Sequence, residues 1–439
     1  MPPNVPDVTD VADPASLYVD PALKSLKPAA PIPAVPTVGP RPRVMYVKAV
    51  LGALFLIPVV PCMALLIGTS TLWQAVDPVT PWVSKKVQEA THKLWLPLVK
   101  KPCDTFMVNV VILGGVCVPA LFAFCLHRTL THGFSLPLAF LYNLLRIGPY
   151  FMLFAYVYVL SHKEGHRPPR NGLFNVDATA VGPLARNVFN WWIGPFYGVL
   201  PSNFRFGHTR NHHKYENGEK DVISNWDTPR DDPVAYLAYM PRFLMYVLNI
   251  SPMIQFIEEK RYDYVGIMLA SNIYYGLGFF LAFRLSPAFA IAYLGYPFCE
   301  AMVLLSTFNW AWHVFLDPLD PDNEYASSIT VLDGPVNVLN EDYHLVHHQT
   351  PGAHWTQHPE LYEKKKAGYV VNRASILRGT HALELFFLAL LGEHKKLAGM
   401  WVDLTGEMTM EEKEQLVVAR MRAVTWGPLK NTVDPKKVE

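Results

Sequence analysis

Ser161-His162-Lys163-Glu164-Gly165-His166 is the first of four histidine clusters that decide how this 439-residue chain can be arranged. The other three are Gly207-His208-Thr209-Arg210-Asn211-His212-His213, Asn309-Trp310-Ala311-Trp312-His313 and Tyr343-His344-Leu345-Val346-His347-His348. Together they hold nine histidines, and each cluster lies beside long apolar segments. Imidazole is a ligand that suits iron, copper and zinc, so this pattern predicts a transition-metal site.

The spacing of the first two clusters predicts which rings face the same way. His162 and His166 are four residues apart, which places both rings on one face of a helix. His208 and His212 have the same spacing. We expect the adjacent His213 to point elsewhere, where it could bind a second ion.

The last cluster repeats the arrangement, with His344 and His347 three residues apart and His348 directly after them. Two doublets of adjacent histidines, in a set of nine, exceed what one tetrahedral ion can use. The pattern therefore predicts two metal ions.

These clusters resemble the histidine boxes of the membrane-bound fatty acid desaturase and hydroxylase superfamily. Its pattern is His-x(3–4)-His, His-x(2–3)-His-His and His-x-x-His-His, and the likeness covers roughly residues 105 to 360. Asn309-x-x-x-His313 resembles the extra ligand segment of acyl-CoA desaturases and alkane monooxygenases. The resemblance implies that the metal ligands are His162, His166, His208, His212, His213, His313, His344, His347 and His348.

Three further residues are weaker candidates. Asn309 could contact a metal through a water, or it could form a hydrogen bond between membrane helices. His127 and His132 have the spacing of the first box of acyl-CoA desaturases. The apolar stretch after them is long enough to cross a bilayer once, which would place both on the far face. We therefore expect them to be helix-end histidines, unless that stretch is buried without crossing.

The resemblance implies a non-haem di-iron enzyme that uses O2 as a co-substrate on fatty-acyl chains. The last box continues with Gln349-Thr350-Pro351, as in fatty-acyl desaturases, which favours the introduction of a double bond. The spacing of the second box and the stretch Asp227-Thr228-Pro229-Arg230-Asp231-Asp232-Pro233 resemble alkane monooxygenases, so hydroxylation of acyl or alkane chains is the alternative. A non-catalytic metal-binding membrane protein is a third reading. The apolar segments hold almost no ionisable residues, which weighs against a transporter.

The composition indicates an integral membrane protein of the all-α class. Hydrophobic residues make up 51% of the chain and charged residues only 17%, where soluble domains carry about 25%. We expect a polytopic helical bundle of about four to six spans, with a cytoplasmic helical cap that carries the boxes. Five cysteines without a Cys-x-x-Cys pair predict reduced packing residues. The net charge of +1 gives no indication of a nucleic-acid partner.

Long apolar stretches predict where the chain crosses the membrane. They lie at about 46–74, 106–126, 134–160, 264–284 and 287–309. The first contains Pro58 and Pro61, which could kink it or turn it into a hairpin. An even number of crossings separates the boxes, so all of them can share one face, and nearby lysines favour the cytoplasmic one.

Composition also predicts three regions. Residues 1–44 are rich in proline and predict a disordered, solvated tail; residues 45–395 form the membrane domain; residues 396–439 are a charged, solvated segment. No fused cytochrome, flavin or nicotinamide motif is seen, so the resemblance implies a separate electron donor. This would be a b-type cytochrome or a ferredoxin with its reductase.

Charged residues near the boxes have two expected roles. Basic side chains could dock an acidic electron donor or bind lipid headgroups, and these are Lys163, Arg167, Arg205 and Arg210. Carboxylates could orient the ligating rings, and the candidates are Glu164, Glu216, Asp221, Glu341 and Asp342. The endoplasmic reticulum is the first expected location, with a plastid membrane as the alternative.

Overall fold

The computed structural model describes residues 18–166, 174–175 and 187–432. The chain forms two compact units. One, here the span unit, comprises residues 46–224 and 237–306, and the other, the mixed unit, comprises residues 1–45, 225–236 and 307–439.

Helices dominate the described chain, as the composition predicts. The α-helices are Arg43–Val76, Val79–Trp95, Phe106–Ile112, Val118–His132, Leu136–Ile147, Met152–His166, Gly194–Phe196, His213–Tyr215, Pro233–Val247, Ile250–Glu258, Tyr262–Leu285, Pro287–Ala290, Tyr296–Trp312, Glu324–Ser327, His344–Gln349, His358–Val371, Ala382–Leu390, His394–Met400 and Met410–Arg422. The π-helical segments are Leu113–Cys117, Val188–Ile193, Asn203–His212 and Ile291–Gly295. Short 3-10 turns occur at Pro21–Leu23, Leu96–Leu98, Pro102–Asp104, Pro149–Phe151 and Trp355–Gln357.

Four helices of the described chain are long and apolar enough to cross a membrane. They are Arg43–Val76, Pro102–His132, Tyr262–Leu285 and Pro287–Trp312. The pair Leu136–Ile147 and Pro149–His166 would make a fifth span if it crosses as one bent element. The predicted all-α, polytopic fold is therefore confirmed.

The structure adds detail to two predicted spans. The first, for which the sequence left a kinked helix and a hairpin open, is one continuous helix that contains Pro58 and Pro61. Spanning helices tolerate proline because neighbouring groups can satisfy the freed carbonyls. The third is broken rather than straight, with a bend of 47°. Gly148 and Pro149 stand at this break, and Tyr150 and Phe151 adopt positive φ angles of 59° and 61°.

Three elements of the span unit carry the first two boxes, since His213 begins the short helix His213–Tyr215. Met152–His166, the first-box helix, carries His162 and His166. The π-helix Asn203–His212, the second-box helix, packs directly against it. Gly165 permits this approach, because a Cβ atom there would lie 2.9 Å from the Cβ atom of Phe204.

The mixed unit is built around a two-stranded parallel sheet of β1, Thr330–Leu332, and β2, Ile376–Arg378. The last-box helix, His344–Gln349, is tied to it by the Leu345 N–H, which donates to the Ile329 carbonyl at 2.8 Å. Leu345 and Val346 belong to the hydrophobic core of this unit. The last box is therefore held by buried apolar side chains of its own helix.

Both ends of the described chain pack on the mixed unit, which differs from the solvated tail and solvated C-terminal segment that composition predicts. The Asp20 N–H donates to the Leu404 carbonyl at 3.0 Å, and the Ala29 N–H donates to the Val371 carbonyl at 2.8 Å. The helix Met410–Arg422 buries Leu416, Val417, Ala419, Arg420 and Met421. Scattered apolar residues at helical spacing outweigh the surrounding charges here. Residues 1–17 and 433–439 lie outside the described residues.

Candidate metal centre

Four histidines from the first two boxes come together in the span unit. From here on, the first cluster means this set of four: His162, His166, His208 and His213. The Nε2 atom of His208 lies 2.8 Å from that of His162 and 3.0 Å from that of His213. The Nε2 atom of His162 lies 3.0 Å from that of His166. One potential ligand atom from each of the four lies within 4.8 Å of all the others.

The pairing within the second box corrects the sequence expectation. His208 contacts both later histidines of the box: its Nε2 atom lies 3.0 Å from that of His213, and its ring centroid lies 5.2 Å from that of His212. The backbone from Asn203 to His212 is π-helical and has more residues per turn than an α-helix, so the residues four and five positions on both lie near the face of His208. The expectation that His213 points elsewhere was wrong.

His212 is oriented by a buried carboxylate. Its Nδ1 atom lies 2.7 Å from Oδ2 of Asp221. The same carboxylate accepts the Asn217 N–H on Oδ2 and the Ile223 N–H on Oδ1. Burial raises the pKa of Asp221, but His212 and the two amides outweigh burial and hold that pKa below its usual value. The ionised carboxylate thus fixes the proton of His212 on Nδ1 and leaves Nε2 able to bind a metal.

Three histidines of the mixed unit form a second cluster, made of His313, His344 and His348. The Nε2 atom of His344 lies 3.3 Å from that of His313 and 3.2 Å from that of His348. The expected i, i+3 pair of His344 and His347 is replaced by an i, i+4 pair, because the last box is an α-helix. All three rings are buried.

Backbone groups and a buried arginine fix His313. Its Nδ1 atom lies 2.9 Å from the Ser327 carbonyl, which orients Nε2 toward the other two rings. The Trp226 indole donates to the His313 carbonyl at 3.2 Å, and Arg230 donates to the next carbonyl, of Val314, at 3.3 Å. The Asp227–Pro233 stretch that resembles alkane monooxygenases therefore supports this ligand segment. Burial lowers the pKa of Arg230 to about 9.

Two aromatic contacts were not foreseen. The Trp312 indole stacks on the His344 imidazole, with ring centroids 4.4 Å apart, and the Phe204 ring lies 5.8 Å from that of His162. Trp312 directly precedes His313, and this adjacency was the one signal in the sequence. His347 is buried in the mixed unit, with its ring 6.2 Å from that of His358.

The weaker candidates occupy different environments. Asn309 is buried, and its carbonyl accepts the His313 N–H at 3.2 Å. His127 and His132 are exposed at the end of helix Val118–His132, outside both clusters, and His132 Nδ1 lies 2.6 Å from Thr131 Oγ1.

The basic residues that were expected to dock an electron donor differ in their exposure. Lys163 is only 4% exposed, so it cannot meet an electron donor. Arg205 and Arg210 retain exposure, and Arg167 lies outside the described residues. Among the expected carboxylates, Glu164, Glu341 and Asp342 are buried. Burial, with the neighbouring Glu341 carboxylate, raises the pKa of Asp342 to about 7.

Both clusters have the spacing that a shared metal ion requires. Imidazole binds first-row metals at roughly 2.0–2.1 Å, so two ligands at right angles would lie about 3 Å apart. The neighbouring Nε2 atoms lie 2.8–3.3 Å apart. All-nitrogen sets of this kind suit iron, copper and zinc, so the residues present fit the metal that the resemblance implies.

Comparisons with known proteins identify the family. The family model described as fatty acid desaturase matches residues 135–376, more than half of the chain. Neither the curated proteins nor the solved structures give a match. The matched region includes every histidine of both clusters. The chain belongs to the fatty acid desaturase family.

Proposed function

We propose that this protein is a membrane-bound, O2-dependent di-iron enzyme that introduces a double bond into a fatty-acyl chain. The observation that carries the proposal is the first cluster, in which four imidazoles present Nε2 atoms to one another at 2.8–3.0 Å. A ring nitrogen pair at this distance can share only one proton, whereas a metal cation can accept a lone pair from all four rings. Family membership supplies the reaction class of oxidoreductase.

Each cluster would hold one iron ion. His162, His166, His208 and His213 form the proposed ligand set in the span unit. His313, His344 and His348 form the set in the mixed unit. His212 and His347 complete the nine ligands, and we assign neither to one particular ion. When bound, the iron pair would supply O2 activation and removal of hydrogen from an unactivated C–H bond.

The chain's own residues would hold the ligands in their metal-binding form. Asp221 and the Ser327 carbonyl keep protons on Nδ1 of His212 and His313, which leaves Nε2 as the ligand atom. Stacking of Trp312 restrains the His344 ring. Burial of these rings excludes bulk water and protects a reactive site from side reactions.

The substrate and partners follow from the family and the spans. Apolar helices place the protein in a bilayer, and we propose a fatty-acyl lipid as the substrate. We propose that electrons come from a separate b-type cytochrome or ferredoxin system. The endoplasmic reticulum is the proposed location.

Hydroxylation of the same C–H bond is the second candidate. It is favoured by the three residues between His208 and His212, and by the use of the Asp227–Pro233 stretch to support His313. The two outcomes need the same iron site and differ in where the chain lies, since a shift on the order of 1 Å can change rates strongly.

The test is lipid analysis of a host that expresses the full chain. Mass spectrometry should show acyl chains two mass units lighter than their precursors, and His208→Ala should abolish them. His127→Ala is the matched control and should retain the product. Chains sixteen units heavier would establish the hydroxylase. Purified protein without stoichiometric iron, or an active His208→Ala variant, would refute the di-iron proposal, and iron without any product would favour a non-catalytic metal protein.

A further inference from the structure

A buried ion pair lies inside the span unit and includes none of the histidines of the first cluster. Arg146 stands near the end of helix Leu136–Ile147, and its Nη2 atom donates to Oε2 of Glu300 on helix Tyr296–Trp312. Their exposed fractions are 0% and 1%. Ionisable residues within apolar spans are costly to bury and commonly mark functional sites.

The hydrogen bonds around this pair leave donors without acceptors. Arg146 Nε donates to Asn143 Oδ1 at 3.2 Å, and the Tyr296 hydroxyl donates to Glu300 Oε1 at 3.1 Å. Both oxygens of Glu300 are therefore engaged. Within the described chain, Arg146 Nη1 and the hydroxyls of Tyr142 and Tyr197 have no hydrogen-bond partner.

Both tyrosines lie near the Arg146 guanidinium. Arg146 Cζ lies 5.4 Å from the centroid of the Tyr197 ring, and Tyr142 stands one helical turn before Arg146 on the same helix. Both tyrosines are fully buried. Burying hydrogen-bond donors without a partner costs free energy, so these three groups predict a hydrogen-bond acceptor beside them. Because Arg146 and Glu300 already neutralise each other, an anion would add an uncompensated buried charge, and a neutral oxygen fits better.

We propose that Arg146, Tyr142 and Tyr197 form an internal binding site for a neutral oxygen acceptor. The oxygen could be supplied by water or by a hydroxyl or carbonyl group of a lipid, and only the lipid source rests on the proposed function. One of these tyrosines contacts the first-box helix, which carries two histidines of the first cluster. The Tyr158 hydroxyl donates to the Tyr197 carbonyl at 2.6 Å, and Tyr158 stands one helical turn before His162.

Removal of single hydroxyl groups tests the proposal. Full-length protein and its Tyr142→Phe and Tyr197→Phe variants would be purified, melted with and without lipid, and assayed for binding of three probes. The probes are octadecane, octadecan-1-ol and octadecan-2-one, of which the last two each add one oxygen. Tyr274→Phe, at a partly exposed position on helix Tyr262–Leu285, is the control that should change nothing. Tyr158→Phe gives the effect of losing a hydroxyl whose bond is known.

The two sources give different results. If a lipid oxygen occupies the site, both Phe variants should bind the oxygenated probes roughly three- to tenfold more weakly and octadecane unchanged. If water occupies it, both variants should melt lower without lipid and bind all probes as before. Removing an unsatisfied hydroxyl is neutral or stabilising. Variants that melt at or above the wild-type temperature and bind each of the three probes as tightly as the wild-type protein does would therefore overturn the proposal. Binding and melting do not require turnover, so a failure of the proposed reaction would leave this test intact.

Discussion

A histidine presents one chosen nitrogen to a metal only when another group controls the proton on its second nitrogen. For His212 that group is the carboxylate of Asp221 at 2.7 Å, and for His313 it is the Ser327 carbonyl at 2.9 Å. A carboxylate also raises the basicity of the ring, whereas a carbonyl only orients it. Of these two rings, His212 is therefore the one whose metal affinity depends more on a single side chain.

Asp221→Asn should weaken metal binding about 10- to 100-fold while the protein stays folded. An Asn retains one acceptor oxygen but places an amide N–H₂ against His212 or against the backbone N–H of Asn217 or Ile223. Titration of the iron-free protein with Fe(II) or Co(II), followed by metal analysis, measures the effect. Asp263→Asn, whose carboxylate is exposed beside Arg261, is the matched control. Equal affinity in the two variants would show that Asp221 does not tune the ligand.

The sequence predicted the set of histidines that come together more accurately than it predicted the contacts between individual rings. Residue spacing grouped His162 with His166, and the structure keeps them together at 3.0 Å. It grouped His208 with His212 and expected His213 to point elsewhere, whereas in the structure the Nε2 atom of His213 lies 3.0 Å from that of His208. Backbone hydrogen-bond register is set by packing against neighbouring elements, which spacing alone does not encode. The ion pair of Arg146 and Glu300 was likewise not predicted, because each residue stands alone among apolar neighbours and the two are far apart in sequence.

At the scale of elements, the first cluster depends on two helices that touch at a glycine. The first-box helix meets the second-box helix where Gly165 faces Phe204, and a Cβ atom there would lie 3.1 Å from the Phe204 carbonyl carbon. Backbone atoms cannot rotate away as a side chain can. The short distance between His162 and His208 therefore requires glycine at position 165, because an alanine methyl group would clash with Phe204.

Gly165→Ala should separate the two helices and reduce the iron bound by the first cluster. Overpacking of this kind costs about 1–3 kcal/mol, so the melting temperature should also fall. The comparison is Gly276→Ala on helix Tyr262–Leu285, where a Cβ atom meets nothing within 4 Å. That variant should keep its iron and lose no stability, since alanine favours helix over glycine. Normal iron content in Gly165→Ala would mean that the helices can part without disturbing the ligands.

In the mixed unit, Arg230 joins three segments through their carbonyl oxygens. It donates to Thr228 at 2.7 Å, Val314 at 3.3 Å and Arg420 at 2.6 Å, and also to Ala423. The planar guanidinium suits several acceptors at once, which a lysine ammonium cannot reproduce. The segment after His313 is thus fixed by the C-terminal helix Met410–Arg422.

Arg230→Lys should destabilise the protein by about 2–4 kcal/mol, because two or three buried carbonyls lose a charged donor. Thermal unfolding of the purified protein measures this. Arg284→Lys, at an exposed position, should leave the melting temperature unchanged. The Arg230→Lys variant should also bind less iron, since His313 loses its anchor, and unchanged iron with lowered stability would limit Arg230 to a structural role.

At the scale of the whole molecule, hydropathy predicted the spans because backbone in a bilayer must satisfy its own hydrogen bonds. The hairpin of Tyr262–Leu285 and Pro287–Trp312 is close to the predicted 264–284 and 287–309. Composition does not predict the packing of the described residues near the two ends of the chain. Proline-rich residues after Asp20 and the charged segment after residue 395 pack through a few backbone bonds and apolar side chains, which average composition does not reveal.

The division into two units leads to a prediction about metal content. The first cluster lies wholly in the span unit and the second wholly in the mixed unit, so removal of one ligand set should spare the other. His208→Ala and His344→Ala should each retain about one iron ion where the wild-type protein binds two. Each should also lose part of the stabilisation that iron provides, which for one site at a hundredfold excess over its dissociation constant is about 2.7 kcal/mol.

Metal analysis and melting with and without Fe(II) test this prediction, with His127→Ala as the variant that should match the wild type in both. The double variant of His208 and His344 should bind no iron, and its melting temperature should not respond to Fe(II). Loss of both ions from either single variant would contradict independent sites. It would show that His212 and His347, the two histidines assigned to neither ion, couple the binding of one iron to the other.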